Sequence, residues 1–104
     1  MTKIEIISVQ NQNDEPIKSF SLEQNYPNPF NPYTTISFSL DKAGKVTLKV
    51  YNIVGQEVIA LIDGEMEEGE HKIVWELENT ASGIYFYKLS SKGKTKTRKM
   101  LLLK

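Results

Sequence analysis

Apolar and polar side chains alternate along most of the chain with a period close to two, and no segment sustains a helical period. In one clear example, serines separate Ile36, Phe38 and Leu40. Such alternation places one face of a strand on a core and the other in water. The pattern predicts an all-β protein of about seven strands, near residues 34–40, 45–52, 56–62, 70–77, 84–90 and 95–103, with a further extended piece within residues 17–22.

Turn signals and two fully apolar runs indicate how these strands are arranged. Glycine tolerates a positive φ and is therefore expected between strands rather than inside them. Residues 84–87 and 100–103 are apolar at consecutive positions, which favours central or interface strands. Short strands separated by turns predict an antiparallel, immunoglobulin-like β-sandwich. We assign Gly44, Gly55 and Gly83 to turn geometry, and expect hairpin tips at Asp63-Gly64 and Lys92-Gly93 and a turn at residues 52–55.

The N-terminal residues leave two interpretations open. Residues 3–9 have the composition of a short strand, but the polar stretch at residues 10–15 is typical of a linker. We therefore expect residues 16–104 to form the sandwich domain, with residues 1–15 a linker or the end of an upstream domain. The first residues lack the basic and apolar regions of a signal peptide, so export would depend on a signal carried by a larger precursor.

Composition narrows the classes of function. The chain has 104 residues, of which 39% are apolar and 25% charged, as is typical of one folded domain. Lys plus Arg and Asp plus Glu each total 13, which argues against a nucleic-acid binder because counterion displacement needs a cationic surplus. No run approaches the ~20 apolar residues of a membrane helix. The chain has no cysteine, so no disulfide framework is expected.

Charge is nevertheless distributed unevenly. Residues 57–78 contain eight acidic side chains, whereas residues 88–104 contain six lysines and one arginine. One interpretation is that opposite charges on solvated strand faces keep the sheet edges soluble. The other is that the basic C-terminal strand meets an acidic partner.

No constellation of residues predicts catalysis, a metal site or a cofactor. His71 lies at the start of a strand expected to be exposed, and the chain has no cysteine or second histidine to share a metal with it. The glutamates at residues 65–70 lack the Asp/Asn-rich pattern of a calcium loop. The serines have no nucleophile-elbow context, and no glycine-rich loop would hold a phosphate. A non-enzymatic protein is expected.

Six aromatic residues are candidates for a carbohydrate-binding surface, which would make the chain an accessory glycan-binding module of a secreted enzyme. The competing interpretation is that they pack in the core and at the rim of the sandwich. An exposed row would favour glycan binding, and burial of Trp75 and the tyrosine pairs would disfavour it. The six residues are Tyr26, Tyr33, Tyr51, Trp75, Tyr85 and Tyr87.

The least ordinary stretch is residues 26–32, YPNPFNP, called the proline segment below. Its three prolines fix φ at about −65° and remove three backbone donors, so it cannot be a central strand. Asn28 and Asn31 can form Asx-turns before the prolines, and Phe30 is expected to anchor the segment by packing on the sandwich. The segment can be a rigid cap leading into strand 34–40, a pre-ordered recognition surface, which loses little entropy on binding, or both.

The chain resembles the type A C-terminal sorting domain of the type IX (Por) secretion system. The opening motif is NYPNPFNP at residues 25–32, the central one GKVTLKVYNIVGQEV at 44–58, and the terminal one SGIYFYKL at 82–89 followed by TRKM. The motifs occur in the family's order and cover about residues 20–104. The later motifs also resemble immunoglobulin-like modules of the flagellar hook cap, so the proline segment discriminates best. Tyr33 departs from the family, which more often has a small hydroxyl residue there.

This resemblance implies a non-catalytic sorting signal that directs a larger cargo protein through the outer membrane. The implied partners are the outer-membrane translocon and shuttle proteins of type IX secretion, and a sortase-like cysteine protease that removes the domain. The implied route runs through the periplasm to the cell surface or the extracellular space. A structural immunoglobulin-like module of a secreted enzyme is an alternative of a different class.

Translocon recognition is expected to use exposed strand edges, since β-augmentation supplies affinity through backbone hydrogen bonds. Cleavage is expected within residues 10–18, because a protease needs accessible backbone. The second expected recognition element is the end of the chain, residues 98–104, called the terminal segment below. The expected recognition residues are Tyr26, Pro27, Asn28, Pro29, Phe30, Asn31 and Pro32, with Arg98, Lys99, Met100, Leu101, Leu102, Leu103 and Lys104.

Overall fold

A computed structural model describes residues 3–9, 19–77 and 80–103. These ranges contain strands and no helix, so the all-β fold expected from the alternating pattern is confirmed. The eight strands are β1 (Lys3–Val9), β2 (Ser21–Leu22), β3 (Tyr33–Leu40), β4 (Gly44–Tyr51), β5 (Glu57–Met66), β6 (Gly69–Glu76), β7 (Gly83–Ser91) and β8 (Lys94–Leu102).

The strands form two four-stranded antiparallel sheets, and the β-sandwich expected from the sequence is confirmed. The first sheet has the order β1-β6-β3-β2 and the second the order β5-β4-β7-β8. Every second residue of β3, β4 and β6 is buried, because alternate side chains of a strand point to one face. One core results, whose largest fully buried side chains are Trp75, Tyr87, Phe30, Ile36, Leu40, Leu48, Ile73, Leu89, Met100, Leu102, Val46 and Val50.

The N-terminal strand β1 extends the first sheet. It pairs antiparallel with β6, from Lys3 opposite Glu76 to Val9 opposite Glu70. Residues 3–9 thus form a strand of this sheet, one of the two interpretations that the sequence left open. The polar stretch that suggested a linker lies outside the described residues, and the domain boundary at residue 16 stays a prediction.

Two of the expected turns are present and one is wrong. Residues 52–55 form a turn closed by a 3.0 Å hydrogen bond from the Gly55 amide to the Asn52 carbonyl. Lys92 and Gly93 both have positive φ and join β7 to β8. Gly64, in contrast, lies inside β5 opposite Val46, because β5 continues along the whole of β4 with two register shifts. The Asp63-Gly64 pair favours a turn locally, but the hydrogen bonds that β4 offers along its whole length keep this part of the chain in a strand.

The two fully apolar runs take different places in the second sheet. β7 lies between β4 and β8, as expected for a central strand. β8 is an edge strand of that sheet, and its residues 94–99 are exposed whereas Met100 and Leu102 are buried. The apolar end of β8 is buried because the proline segment covers it.

Candidate recognition surface

The proline segment is held over one end of the sandwich by Phe30. This side chain is fully buried, and its ring centroid lies 6.0 Å from that of Trp75 at an interplanar angle of 41°. Three peptide bonds in the segment, those preceding Pro27, Pro29 and Pro32, are cis. Phe30 therefore has the anchoring role expected from the sequence, while both asparagines and all three prolines are exposed.

The proline segment runs along the outer edge of the terminal segment. The Phe30 amide donates to the Leu101 carbonyl, and the Leu103 amide donates to the Phe30 carbonyl, both at 3.0 Å. The Asn28 side-chain oxygen accepts a 3.0 Å hydrogen bond from the Leu101 amide. The Asn28 side-chain oxygen therefore makes a long-range hydrogen bond to β8, where the sequence suggested a local Asx-turn. Gln24 donates from Nε2 to the Lys99 carbonyl at 2.7 Å. These bonds occupy the free edge of β8 from residue 99 to residue 103.

A buried polar network fixes the backbone on which the proline segment begins. The Tyr87 hydroxyl accepts from the Asn25 amide at 2.8 Å and donates to the Glu23 carbonyl at 2.7 Å. The side chains of Asn25 and Thr34 both donate to the Pro27 carbonyl, at 3.2 and 2.8 Å. Burial raises the pKa of Tyr87 to about 12, so its hydroxyl is neutral and can donate at physiological pH.

The structure divides the expected recognition residues into exposed and buried sets. Tyr26 is 80% exposed, whereas the side chains of Phe30, Met100 and Leu102 lie in the core. Lys104 lies outside the described residues. The exposed members are Tyr26, Pro27, Asn28, Pro29, Asn31, Pro32, Arg98, Lys99 and Leu103, and Leu101 is half-buried.

A shallow groove of about 260 Å³ is lined by residues of both segments. Asn28 and Pro29 form one side of it, and Lys99, Met100 and Leu101 form the other together with Ile84. Ile84 lies directly opposite Leu101 in the ladder, so two partly exposed apolar side chains stand next to one cation. The groove can accept an apolar side chain flanked by an acidic group.

His71 does not lie on an exposed face, which corrects the expectation from sequence. It is buried, its ring stacks on Phe38 with centroids 5.4 Å apart, and Nε2 lies 2.7 Å from the Glu67 carbonyl oxygen. The reason is register, since His71 has the same strand parity as Ile73 and Trp75 and so points into the core. Within the described ranges, no three His, Cys, Asp or Glu side chains come together in a way that would hold a metal ion.

Three of the six glycan candidates are buried inside the sandwich. Trp75 and Tyr87 have no exposed surface and Tyr85 is 7% exposed. The Trp75 indole N–H has no hydrogen-bond partner among the described residues. Tyr26 and Tyr33 are exposed, and Tyr51 is partly exposed beneath the Lys88 ammonium. The three buried aromatics are therefore unavailable for stacking on a sugar.

Four residues that position the candidate recognition surface are not predicted from the sequence. Gln24, Asn25, Thr34 and Tyr87 hold the two segments in place through the hydrogen bonds given above. One sequence signal was present for Thr34, which shares the inward parity of Ile36 and is therefore a polar residue on a core face. The contact between Tyr87 and Asn25 has no local signal, because the two residues are 62 positions apart.

The comparisons with known proteins agree with this picture. A family model described as "Secretion system C-terminal sorting domain" matches residues 24–103, which include both segments of the surface. No curated protein and no solved structure matches the chain significantly. Among the described residues, no helix is long and apolar enough to cross a membrane.

Proposed function

Because the chain belongs to the family of secretion-system C-terminal sorting domains, we propose that the proline segment and the terminal segment together form the surface that the type IX secretion machinery reads. The family implies interaction with that machinery and export towards the cell surface or the extracellular space. Within this frame, the translocon and shuttle proteins are the proposed partners and the periplasm is the proposed route. The domain acts on no substrate in this proposal. It is itself the substrate of the translocon and of a sortase-like protease.

One observation supports the composite surface above all others. The two segments, which are about 70 residues apart in sequence, share a parallel bridge between Phe30 and Leu102 and the hydrogen bond from Leu101 to Asn28. A partner that contacts the exposed side of one segment therefore also reaches the other. Because the backbone is already ordered, recognition loses little conformational entropy.

The proposal can be tested by fusing a periplasm-directed fluorescent reporter to the N-terminus of the full chain in a host with a type IX system. Delivery of the reporter to the surface or the medium is the measured quantity. Deleting the terminal segment is a poor test, because it also removes Met100 and Leu102 from the core. Substitutions of exposed residues, Tyr26→Ala and Lys99→Glu, leave the core intact and are expected to lower delivery several-fold.

Matched controls use exposed residues outside the two segments. The turn between β4 and β5 lies at the edge of the second sheet opposite β8, and Lys42 follows the end of β3 that is farther from the proline segment. Val54→Ala lies in the turn between β4 and β5 and changes an exposed apolar residue, as Tyr26→Ala does. Lys42→Glu makes the same charge change as Lys99→Glu at an exposed site between β3 and β4. Both controls are expected to be delivered normally. Periplasmic retention of the unsubstituted fusion, or equal delivery by all four variants, would contradict the proposed surface.

A further inference from the structure

Among the described residues, none pairs with the outer backbone edge of the first half of β8, whereas the edge of its second half is hydrogen-bonded. In an antiparallel strand, residues whose N–H and C=O both point outward alternate with residues that bond to the neighbouring strand. The backbone N–H and C=O of Leu101 point outward, since the amide donates to the Asn28 side chain and the carbonyl accepts from the Phe30 amide. By the same alternation, the backbone N–H and C=O groups of Thr95 and Thr97 also point away from β7. No backbone hydrogen bond from either is made on that side within the described ranges.

This free edge is short and bounded at both ends. At one end, Gln24 occupies the carbonyl of Lys99, so only the amide of that residue remains available. At the other end, the Lys92-Gly93 turn reverses the chain into β7. The edge therefore offers the amides and carbonyls of Thr95 and Thr97 and the amide of Lys99. Such a ladder suits an extended segment of about four or five residues.

Both faces of the free edge carry cations. Lys96 and Arg98 share the parity of Met100, and Lys99 lies on the opposite face, where Lys88 is the cross-strand partner of Thr97. Lys96 and Lys99 are exposed and form no ion pair with the described residues. Lys94 is different, because it is paired with Asp41 and its hydrogen bond holds the pKa of that carboxyl below its usual range. An incoming strand would thus meet positive charge on whichever face its side chains project.

We propose that this edge, residues 95–99 of β8, binds an extended acidic segment of a partner protein by β-augmentation. The backbone groups supply the ladder and the lysines select acidic side chains on both faces of the added strand. The same lysines repel basic strands and keep the edge from pairing with copies of itself. The inference deepens the proposed function, on which the assignment of this partner to the secretion machinery rests.

The binding test uses the purified full chain and a synthetic eight-residue peptide in which pairs of Glu alternate with pairs of Val or Thr, so that both faces of the added strand carry acidic side chains. Fluorescence anisotropy gives the affinity, and amide chemical shifts give the location. The Glu peptide is expected to bind at least tenfold more tightly than its Gln counterpart, with an affinity that falls as salt rises. The shifts are expected at the amides of Thr95, Thr97 and Lys99. Equal affinity for both peptides, or no shift at these three amides, would overturn the proposal.

Three variants locate the contact. Thr97→Pro removes an outward N–H without breaking a bond to β7, and Thr97→Val keeps that N–H. Lys96→Glu leaves the backbone untouched and tests the charge if the proline variant does not fold. Thr97→Pro and Lys96→Glu are expected to weaken binding about tenfold relative to Thr97→Val. Unchanged affinity in Lys96→Glu would overturn the proposal.

A secretion assay separates this inference from the proposed function. Delivery of the reporter fusion carrying Thr97→Pro is expected to fall with its peptide affinity. Normal delivery of that fusion would overturn the assignment of the acidic partner to the secretion machinery and leave the proposed function intact. Failure of the unsubstituted fusion to be delivered would count against the proposed function, whereas the peptide measurement, made on purified protein, would be unaffected.

Discussion

At the scale of single residues, Tyr87 links the core to the proposed recognition surface. Its ring is fully buried between the sheets, and its hydroxyl satisfies the Asn25 amide and the Glu23 carbonyl just before the proline segment begins. Burial opposes ionisation of the phenol and raises its pKa to about 12 from an ordinary value of 10.0. This one group therefore makes the position of the surface sensitive to strongly alkaline pH.

The expected consequence is a loss of stability between pH 10 and pH 12. Below pH 10 the phenol is neutral in both folded and unfolded chains, and its contribution to stability is complete. As the pH rises towards the folded-state pKa, the unfolded chain ionises first, so up to about 3 kcal/mol of the free energy of unfolding is lost. Urea unfolding of the natural chain and of Tyr87→Phe from pH 8 to pH 12 measures this loss.

Tyr87→Phe also serves as the control, because lysine titration is common to both proteins. At pH 8 the variant is expected to be about 1–2 kcal/mol less stable, since the buried Asn25 amide loses its acceptor. The difference between the two proteins should then shrink above pH 10. Parallel pH profiles would show that the phenol does not titrate with a raised pKa.

At the scale of elements, the turn between β4 and β5 shows how local chemistry ends a strand. The Asn52 side-chain oxygen accepts hydrogen bonds from the amides of Val54 and Gln56, at 3.1 and 3.0 Å. Gly55 has φ of 87°, in the left-handed region that disfavours residues with a Cβ. Gly64, which lies inside β5, is not among the glycines with positive φ and pairs with Val46 of β4. The two glycines thus serve different purposes.

Substituting both glycines tests this distinction. Gly55→Val is expected to cost about 1–3 kcal/mol, because a β-branched residue is strained at positive φ. No atom lies within 4 Å of the added Cβ, so the cost is conformational and not steric crowding. Gly64→Val is expected to be neutral or slightly stabilising, since valine suits a strand. Thermal unfolding of the two variants measures the difference, and equal melting temperatures would refute the assignment of these glycines.

At the scale of the whole molecule, the proline segment joins the two sheets. It bridges to Thr35 of β3 through Tyr26 and to Leu102 of β8 through Phe30. The Pro32 carbonyl accepts a further hydrogen bond of 3.0 Å from the Leu77 amide, just after β6. The segment therefore covers one end of the sandwich and also stays exposed on its outer side. The segment is thus a cap whose outer side is exposed, as the proposed recognition surface requires.

Proteolytic release is a prediction at this same scale. A sortase-like protease is expected to cut within residues 10–18, which lie outside the described residues. Because β1 precedes this region and pairs with β6, the cut would leave residues 3–9 on the upstream product. Mass spectrometry of the domain released from a secreting host is expected to give an N-terminus between residues 11 and 19. A new N-terminus inside β2–β8 would contradict the prediction.

Much of the surface was predictable in outline. Composition and the family resemblance predicted the proline segment and the terminal segment as recognition elements. The single aromatic residue among the prolines and asparagines of residues 27–32 predicted Phe30 as the anchor. Their contact was not predictable, because hydrogen bonds such as Leu101 to Asn28 join residues 73 positions apart. The inward position of His71 was available from the alternation of β6, whereas the continuation of β5 through Gly64 depends on the partners that β4 provides.

The amino-acid sequence by itself determined the all-β class, most of the strands and the side chains of the core, because alternation with a period of two is a local property that each strand carries alone. Only the tertiary structure decided which edges are free. Gln24 and the proline segment cover the edge of this one strand, β8, from the Lys99 carbonyl onward, whereas no described residue pairs with it from Thr95 to the Lys99 amide. That difference depends on where a segment some 70 residues away comes to lie, and backbone hydrogen bonds leave no trace in the identity of the side chains that flank them.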